Sequence, residues 1–76
     1  NNLYSWGFGK NGRLGHGNEA NIFVPTKVES LNMRVSNIGA GDNYSACVSN
    51  SDLYTWGNGE FGRLGHDDNK DVFYPT

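Results

Sequence analysis

Leu3-Tyr4-Ser5-Trp6-Gly7 recurs fifty positions later as Leu53-Tyr54-Thr55-Trp56-Gly57. The echo runs on: Gly12-Arg13-Leu14-Gly15-His16 returns as Gly62-Arg63-Leu64-Gly65-His66, and Pro25-Thr26 as Pro75-Thr76. Overlaid without a gap, residues 3–26 and 53–76 agree at 13 of 24 positions. A repeat of this length is one supersecondary unit, which cannot bury its apolar face alone and must stack on neighbours. The 76 residues hold about one and a half copies, and both ends lie inside or beside the motif. The chain therefore reads as an internal fragment of an array.

Working outward from the motif, Leu3–Trp6, Thr26–Leu31, Tyr44–Ser49 and Leu53–Trp56 read as short strands, with Val35–Ile38 as a fifth. They are rich in Val, Tyr, Thr and Trp and are bounded by Gly, Asn, Asp and Ser. Asn50-Ser51-Asp52 is short enough for a hairpin loop, so the strands on either side of it should pair antiparallel. No window carries apolar residues at i, i+3, i+4 and i+7 over the three turns a helix needs. Gly7–Gly17 and Gly57–Asp67 read as long loops punctuated by glycine. Short strands joined by such loops at a regular period point to an all-β propeller.

Composition narrows the function. Apolar residues make up 36% of the chain, against a usual ~45–50%, so a large core is not expected. A net charge of −2 supplies no basic footprint for nucleic acid or an anionic membrane. No apolar run reaches transmembrane length. Cys47 is alone, which rules out an internal disulfide and a thiol-rich metal cage and favours an intracellular, reducing setting, nuclear or cytoplasmic.

Leu-Tyr-x-Trp-Gly-x-Gly-x-x-Gly-Arg-Leu-Gly-His, with Pro-Thr about ten residues on, resembles the repeat of the regulator-of-chromosome-condensation family. Here it runs from Leu3 to Thr26 and again from Leu53 to Thr76. Val35, Ile38, Gly39, Gly41 and Tyr44–Ser49 also sit where that repeat places them. WD repeats are shorter and carry Trp-Asp, whereas Trp6 and Trp56 are each followed by Gly; kelch repeats carry a double glycine, which is missing here. The resemblance implies a seven-bladed propeller of four-stranded antiparallel blades, closed by about 350 residues at this period. Residues 1–26 would then be the second half of one repeat, and residues 27–76 one complete repeat, or about one blade.

Several motifs invite a chemical reading. Gly7-x-Gly9-x-x-Gly12 and Gly57-x-Gly59-x-x-Gly62 match the dinucleotide fingerprint. That fingerprint needs a helix next, to hold a pyrophosphate at its N-terminus. Gly15 and Gly65 would interrupt its first turn, so no cofactor is expected. Asp67-Asp68-Asn69-Lys70-Asp71 resembles the start of a calcium loop, but Val72 stands where the sharp turn requires Gly. His16, His66 and Cys47 lack the close-spaced ligand pairs of a zinc site, so no metal is expected either. Asn43-Tyr44-Ser45 is a glycosylation sequon only in a secreted protein.

The repeated residues read as structural: Trp6, Gly7, Gly12, Arg13, Leu14, Gly15 and His16, with Trp56, Gly57, Gly62, Arg63, Leu64, Gly65 and His66. Tyr and Trp two apart in a strand share a face, as packing between blades requires. Arg13 and Arg63 should tie their loops to carbonyls or a carboxylate. Function is expected where the copies differ. Gly17–Ile22 and Asp67–Val72 diverge, and Lys10, Phe8 and Asn11 become Glu60, Asn58 and Phe61. Lys10, Asn18, Glu19, Glu60, Asp67, Asp68 and Lys70 are the candidate partner-binding residues, set in loops on a rigid scaffold. The expected function is a non-catalytic scaffold that binds a protein partner, with neighbouring blades completing the propeller. The resemblance also implies, as its alternative, part of a guanine-nucleotide exchange factor for a Ran-like small GTPase.

Overall fold

The computed structural model describes residues 2–31 and 34–76. It is built from five strands: β1 (Tyr4–Gly7), β2 (Ile22–Lys27), β3 (Val35–Ala40), β4 (Tyr44–Ser49) and β5 (Asp52–Gly57). Two three-residue 3-10 turns, Lys10–Gly12 and Glu60–Gly62, occupy the same place in the two copies. The strands form two sheets, β1-β2 and β3-β4-β5, with every pairing antiparallel. The architecture is all-β, as the strand pattern of the sequence leads one to expect.

The β4–β5 hairpin closes through two residues, with Ser49 paired to Asp52. Asn50 and Ser51 both take positive φ, 55° and 69°. A two-residue connection of that hand matches the right-handed twist of its strands. The turn holds the register from Tyr44↔Gly57 to Ser49↔Asp52. Beyond β5 a further segment joins antiparallel: Gly57 bridges Val72, and the backbones of Thr55 and Thr76 exchange hydrogen bonds of 3.1 and 3.2 Å. The first copy does the same through β2, where Ser5 faces Thr26 and Gly7 faces Ile22. Pro25 and Pro75 fall in the irregular stretch between these pairs, where a residue without an N–H costs no ladder bond.

The expected strand at Thr26–Leu31 is corrected. The strand runs Ile22–Lys27, and Glu29-Ser30 forms a turn closed by Leu31 N–H donating to the Val28 carbonyl at 3.2 Å. Val28 and Leu31 are both buried. In a strand, residues three apart would point to opposite faces; the turn sends both into one core. That core joins Val28, Leu31, Val35, Cys47 and Trp56, with Leu3, Tyr54 and Val72 packed against it. Beneath it Ser49 is fully buried and its Oγ donates to the Arg34 carbonyl at 2.8 Å. The core thus joins the connection from the first copy to the sheet of the second.

β1 pairs only with β2 among the described residues, whereas its twin β5 is flanked by β4 and by Val72–Thr76. An open cleft of about 490 Å³ lies beside β1, bounded by Trp6, Leu14, Ile38 and Trp56.

Candidate functional site

Each copy of the motif folds into the same hydrogen-bonded loop. In the first, Ser5 Oγ donates to the Leu14 carbonyl at 2.6 Å and lies 2.9 Å from His16 Nε2. In the second, Thr55 Oγ1 donates to the Leu64 carbonyl at 2.8 Å and lies 2.8 Å from His66 Nε2. A hydroxyl has one proton. With that proton on the carbonyl, the imidazole Nε2–H is the donor to the hydroxyl oxygen. A general base would have to accept at this nitrogen, so the Ser5–His16 pair is a structural clasp and not an activated nucleophile.

Arginine closes the loop from outside. Arg13 Nε donates to the Lys10 carbonyl and Arg63 Nε to the Glu60 carbonyl, both at 2.8 Å. Arg13 Nη1 reaches the Asp42 carbonyl at 3.0 Å, while Arg63 Nη1 donates to Asn43 Oδ1 at 2.6 Å. Each guanidinium also covers an aromatic ring, but from a different position. Arg13 lies 4.9 Å from the Phe8 centroid and Arg63 lies 5.9 Å from that of Phe61.

The two copies meet through the first loop. Gly15 lies against Trp56, where an added methyl would come within 2.8 Å of Nε1. Gly12 is backed by Phe73 and Gly17 by the Tyr74 ring, and Gly17 N–H donates to the Phe73 carbonyl at 2.9 Å. Asp71 spans the junction: Oδ1 accepts from Gly59 N–H at 3.0 Å and Oδ2 from the Asn11 amide at 3.0 Å. Ser45 Oγ donates across it to the Arg13 carbonyl at 3.0 Å. Glycine at three contact points lets backbone and aromatic ring touch, which raises the contact density of a small interface.

The seven candidate contact residues, Lys10, Asn18, Glu19, Glu60, Asp67, Asp68 and Lys70, are all exposed. Three of them, Lys10, Asn18 and Glu19, lie along the first loop's rim, and four, Glu60, Asp67, Asp68 and Lys70, along the corresponding rim of the second. Glu19 Oε1 accepts from Asn11 N–H at 2.8 Å, which brings the 18–21 segment to the Lys10 turn. Asn18 and Asp68 each cap a tight turn, accepting from the N–H of Ala20 and of Lys70 at 3.0 Å. Their side chains therefore also hold loop shape. No group of three His, Cys, Asp or Glu side chains converges on a metal-sized site among the described residues.

Phe61 is the surface residue that sequence reasoning left off the candidate set. It is 83% exposed and takes φ 63°, a conformation its twin Asn11 (φ 66°) adopts at far less cost. The signal was an aromatic standing where the other copy carries a turn-former.

The chain matches the profile of the Regulator of chromosome condensation (RCC1) repeat over residues 1–48 and 50–76. It belongs to the RCC1-repeat family. It is 42% identical over 48 residues to the Ultraviolet-B receptor UVR8 of Arabidopsis thaliana, covering 62% of this chain and 11% of that protein. It is 48% identical over 48 residues to the E3 ubiquitin-protein ligase HERC2 of Homo sapiens, covering 62% of this chain and 1% of that protein. The chain thus spans a small fraction of the length of these relatives. One relative is named as a receptor and the other as a ligase, so the shared repeat does not by itself fix an activity.

Proposed function

We propose that the chain is a segment of a non-catalytic, intracellular β-propeller of seven four-stranded blades that binds a protein partner through its divergent loops. One observation carries this reading. The clasps and the packing between repeats are built largely from residues common to both copies, while Lys10, Asn18, Glu19, Glu60, Asp67, Asp68 and Lys70, at positions where the copies differ, are exposed on the rim. Glu19, Glu60, Asp67, Asp68 and Asp71 outnumber Lys10 and Lys70 there, which suits a partner with a basic contact surface. Phe61 offers an apolar anchor within that rim, held in a strained backbone of the kind that clusters at binding sites.

The test is site-specific photo-crosslinking in the intact parent protein, with the reactive group at Asp67 or, as control, at Leu64. Capture of one protein from Asp67 and none from buried Leu64 supports the reading; equal capture, or none at either, counts against it. Nucleotide exchange on a Ran-like small GTPase is the narrower form of the same reading and rests on the family resemblance. Release of a fluorescent guanine nucleotide from such a GTPase, accelerated by the parent and slowed by Asp67→Lys, would establish it.

A further inference from the structure

Asparagine followed by glycine occurs twice, at Asn11-Gly12 and at Asn58-Gly59. The two pairs are not equivalents, because Phe61 and Phe8 stand at the matching positions of the other copy. Glycine has no side chain to keep its nitrogen from attacking the carbonyl carbon of the asparagine side chain. The fold sets the two pairs in opposite surroundings.

The Asn11 carboxamide is held at both ends by charged groups. Arg13 Nη2 donates to its Oδ1 at 3.1 Å, and its Nδ2 donates to Asp71 Oδ2 at 3.0 Å. The guanidinium is anchored outside this turn by the Asp42 carbonyl at 3.0 Å. Asn58 Oδ1 accepts instead from the neutral Glu60 N–H at 2.8 Å, and the neighbouring Gly59 N–H donates to the Asp71 carboxylate at 3.0 Å.

We propose that Asn11-Gly12 is a self-modification site, where asparagine converts to aspartate or isoaspartate and so loosens the junction between the repeats. The Gly12 nitrogen attacks Asn11 Cγ. The new N–Cγ bond forms, the Cγ–Nδ2 bond breaks, and Nδ2 leaves as ammonia with the proton that Gly12 gives up. Water then opens the cyclic imide at either of its carbonyls. Negative charge develops on Oδ1 during the attack, where Arg13 is already placed to stabilise it. The same guanidinium favours loss of the Gly12 proton, whereas the Asp71 carboxylate opposes loss of the Gly59 proton. Asn11 sits at φ 66°, ψ 9° within a 3-10 turn, so the turn must open first. Its closing bonds of 3.1 and 3.3 Å belong to a short element that opens at low cost.

The product acts on the junction twice. A carboxylate at position 11 faces that of Asp71 where a donor stood. Isoaspartate also adds a backbone carbon beside Gly12, which already lies against the Phe73 ring. Neither effect depends on which partner the rim binds.

The test is peptide mapping by mass spectrometry of the intact parent protein, aged in mildly alkaline buffer with and without denaturant. In the folded protein Asn11 should convert about tenfold faster than Asn58. In denaturant the two rates should converge, since the fold is what separates the pairs. No conversion at Asn11 in the folded protein, a rate no faster than at Asn58, or a difference that survives denaturant undiminished overturns the proposal. The consequence is read by hydrogen exchange at Gly17 N–H, which donates across the junction to the Phe73 carbonyl at 2.9 Å. Asn11→Asp should cut its protection about threefold. Adding Asp71→Asn should restore it, because Asn21 already fills that place in the first copy and accepts from Gly9 N–H at 2.9 Å. Unchanged protection in Asn11→Asp, or no rescue by the second substitution, overturns the proposal as well.

Discussion

Trp56 rests on Gly15, and its indole lies so close that a methyl on the glycine would fall 3.2 Å from two ring carbons as well as 2.8 Å from the nitrogen. Gly65, its twin, faces open space. The two glycines share a left-handed backbone, φ 83° and 78°, so Gly→Ala costs both the same backbone strain of ~1–2 kcal/mol. Only Gly15→Ala also overpacks the interface, a further ~1–3 kcal/mol. Denaturation of the two variants at one shared concentration, high enough for the chain to be folded, should therefore place Gly15→Ala below Gly65→Ala. Equal losses would remove the interface from the explanation.

The tryptophans should separate in the same way. Trp56→Ala removes a core ring and should cost ~3–5 kcal/mol wherever the chain is folded. Trp56 Nε1 is buried with no hydrogen-bond partner among the described residues, so Trp56→Phe relieves an unpaired donor and should cost less than half as much. Trp6 is 55% exposed where Trp56 is 2% exposed, so Trp6→Ala removes less buried ring and should cost less than Trp56→Ala.

Phe61 should be a stability cost borne for binding. Phe61→Asn installs the residue that Asn11 shows to fit this backbone, and should raise stability by ~0.5–1 kcal/mol. The same change should weaken capture of the rim partner by the parent protein. A destabilised Phe61→Asn variant would show that the ring contributes packing instead.

Cys47 is buried, and that burial raises its thiol above the ordinary value of 9.0. Burial disfavours the thiolate, so the unfolded chain ionises first as pH rises. Stability should be at its full value below pH 9.0 and should fall from there through the raised value of the folded state. Cys47→Ser should flatten that decline. Alkylation of the thiol should be slow until denaturant is added.

Much of this fold is legible in the sequence because the period exposes which residues pack. Tyr44–Ser49 stands as read, and the hairpin at Asn50-Ser51 follows from turn chemistry at two positions of positive φ. The strand expected at Thr26–Leu31 fails for a definable reason. Val28 and Leu31 suit a strand by type, yet their spacing of three serves a turn that buries both. Pro25 hides the true strand, since proline argues against any strand except at an edge or irregular pairing. Of the site, the exposure of Lys10, Glu60 and Asp67 is foreseeable from divergence between copies. The cap made by Asp68 and the bridge from Asn11 to Asp71 are not, because they depend on where the first loop lands on the second repeat.

The central claim is that one repeat gains its stability from the next, as stacked arrays do. The buried core is small and unstapled, with Cys47 free, and such a unit is not expected to be a stable folded monomer. The direct measurement is thermal melting of the 76-residue chain by near-UV circular dichroism over a dilution series, with the mass determined at each concentration. The account predicts a melt whose midpoint rises with concentration and whose cooperativity appears only where the mass exceeds 8.4 kDa. A cooperative melt, independent of concentration, from a verified monomer would contradict it.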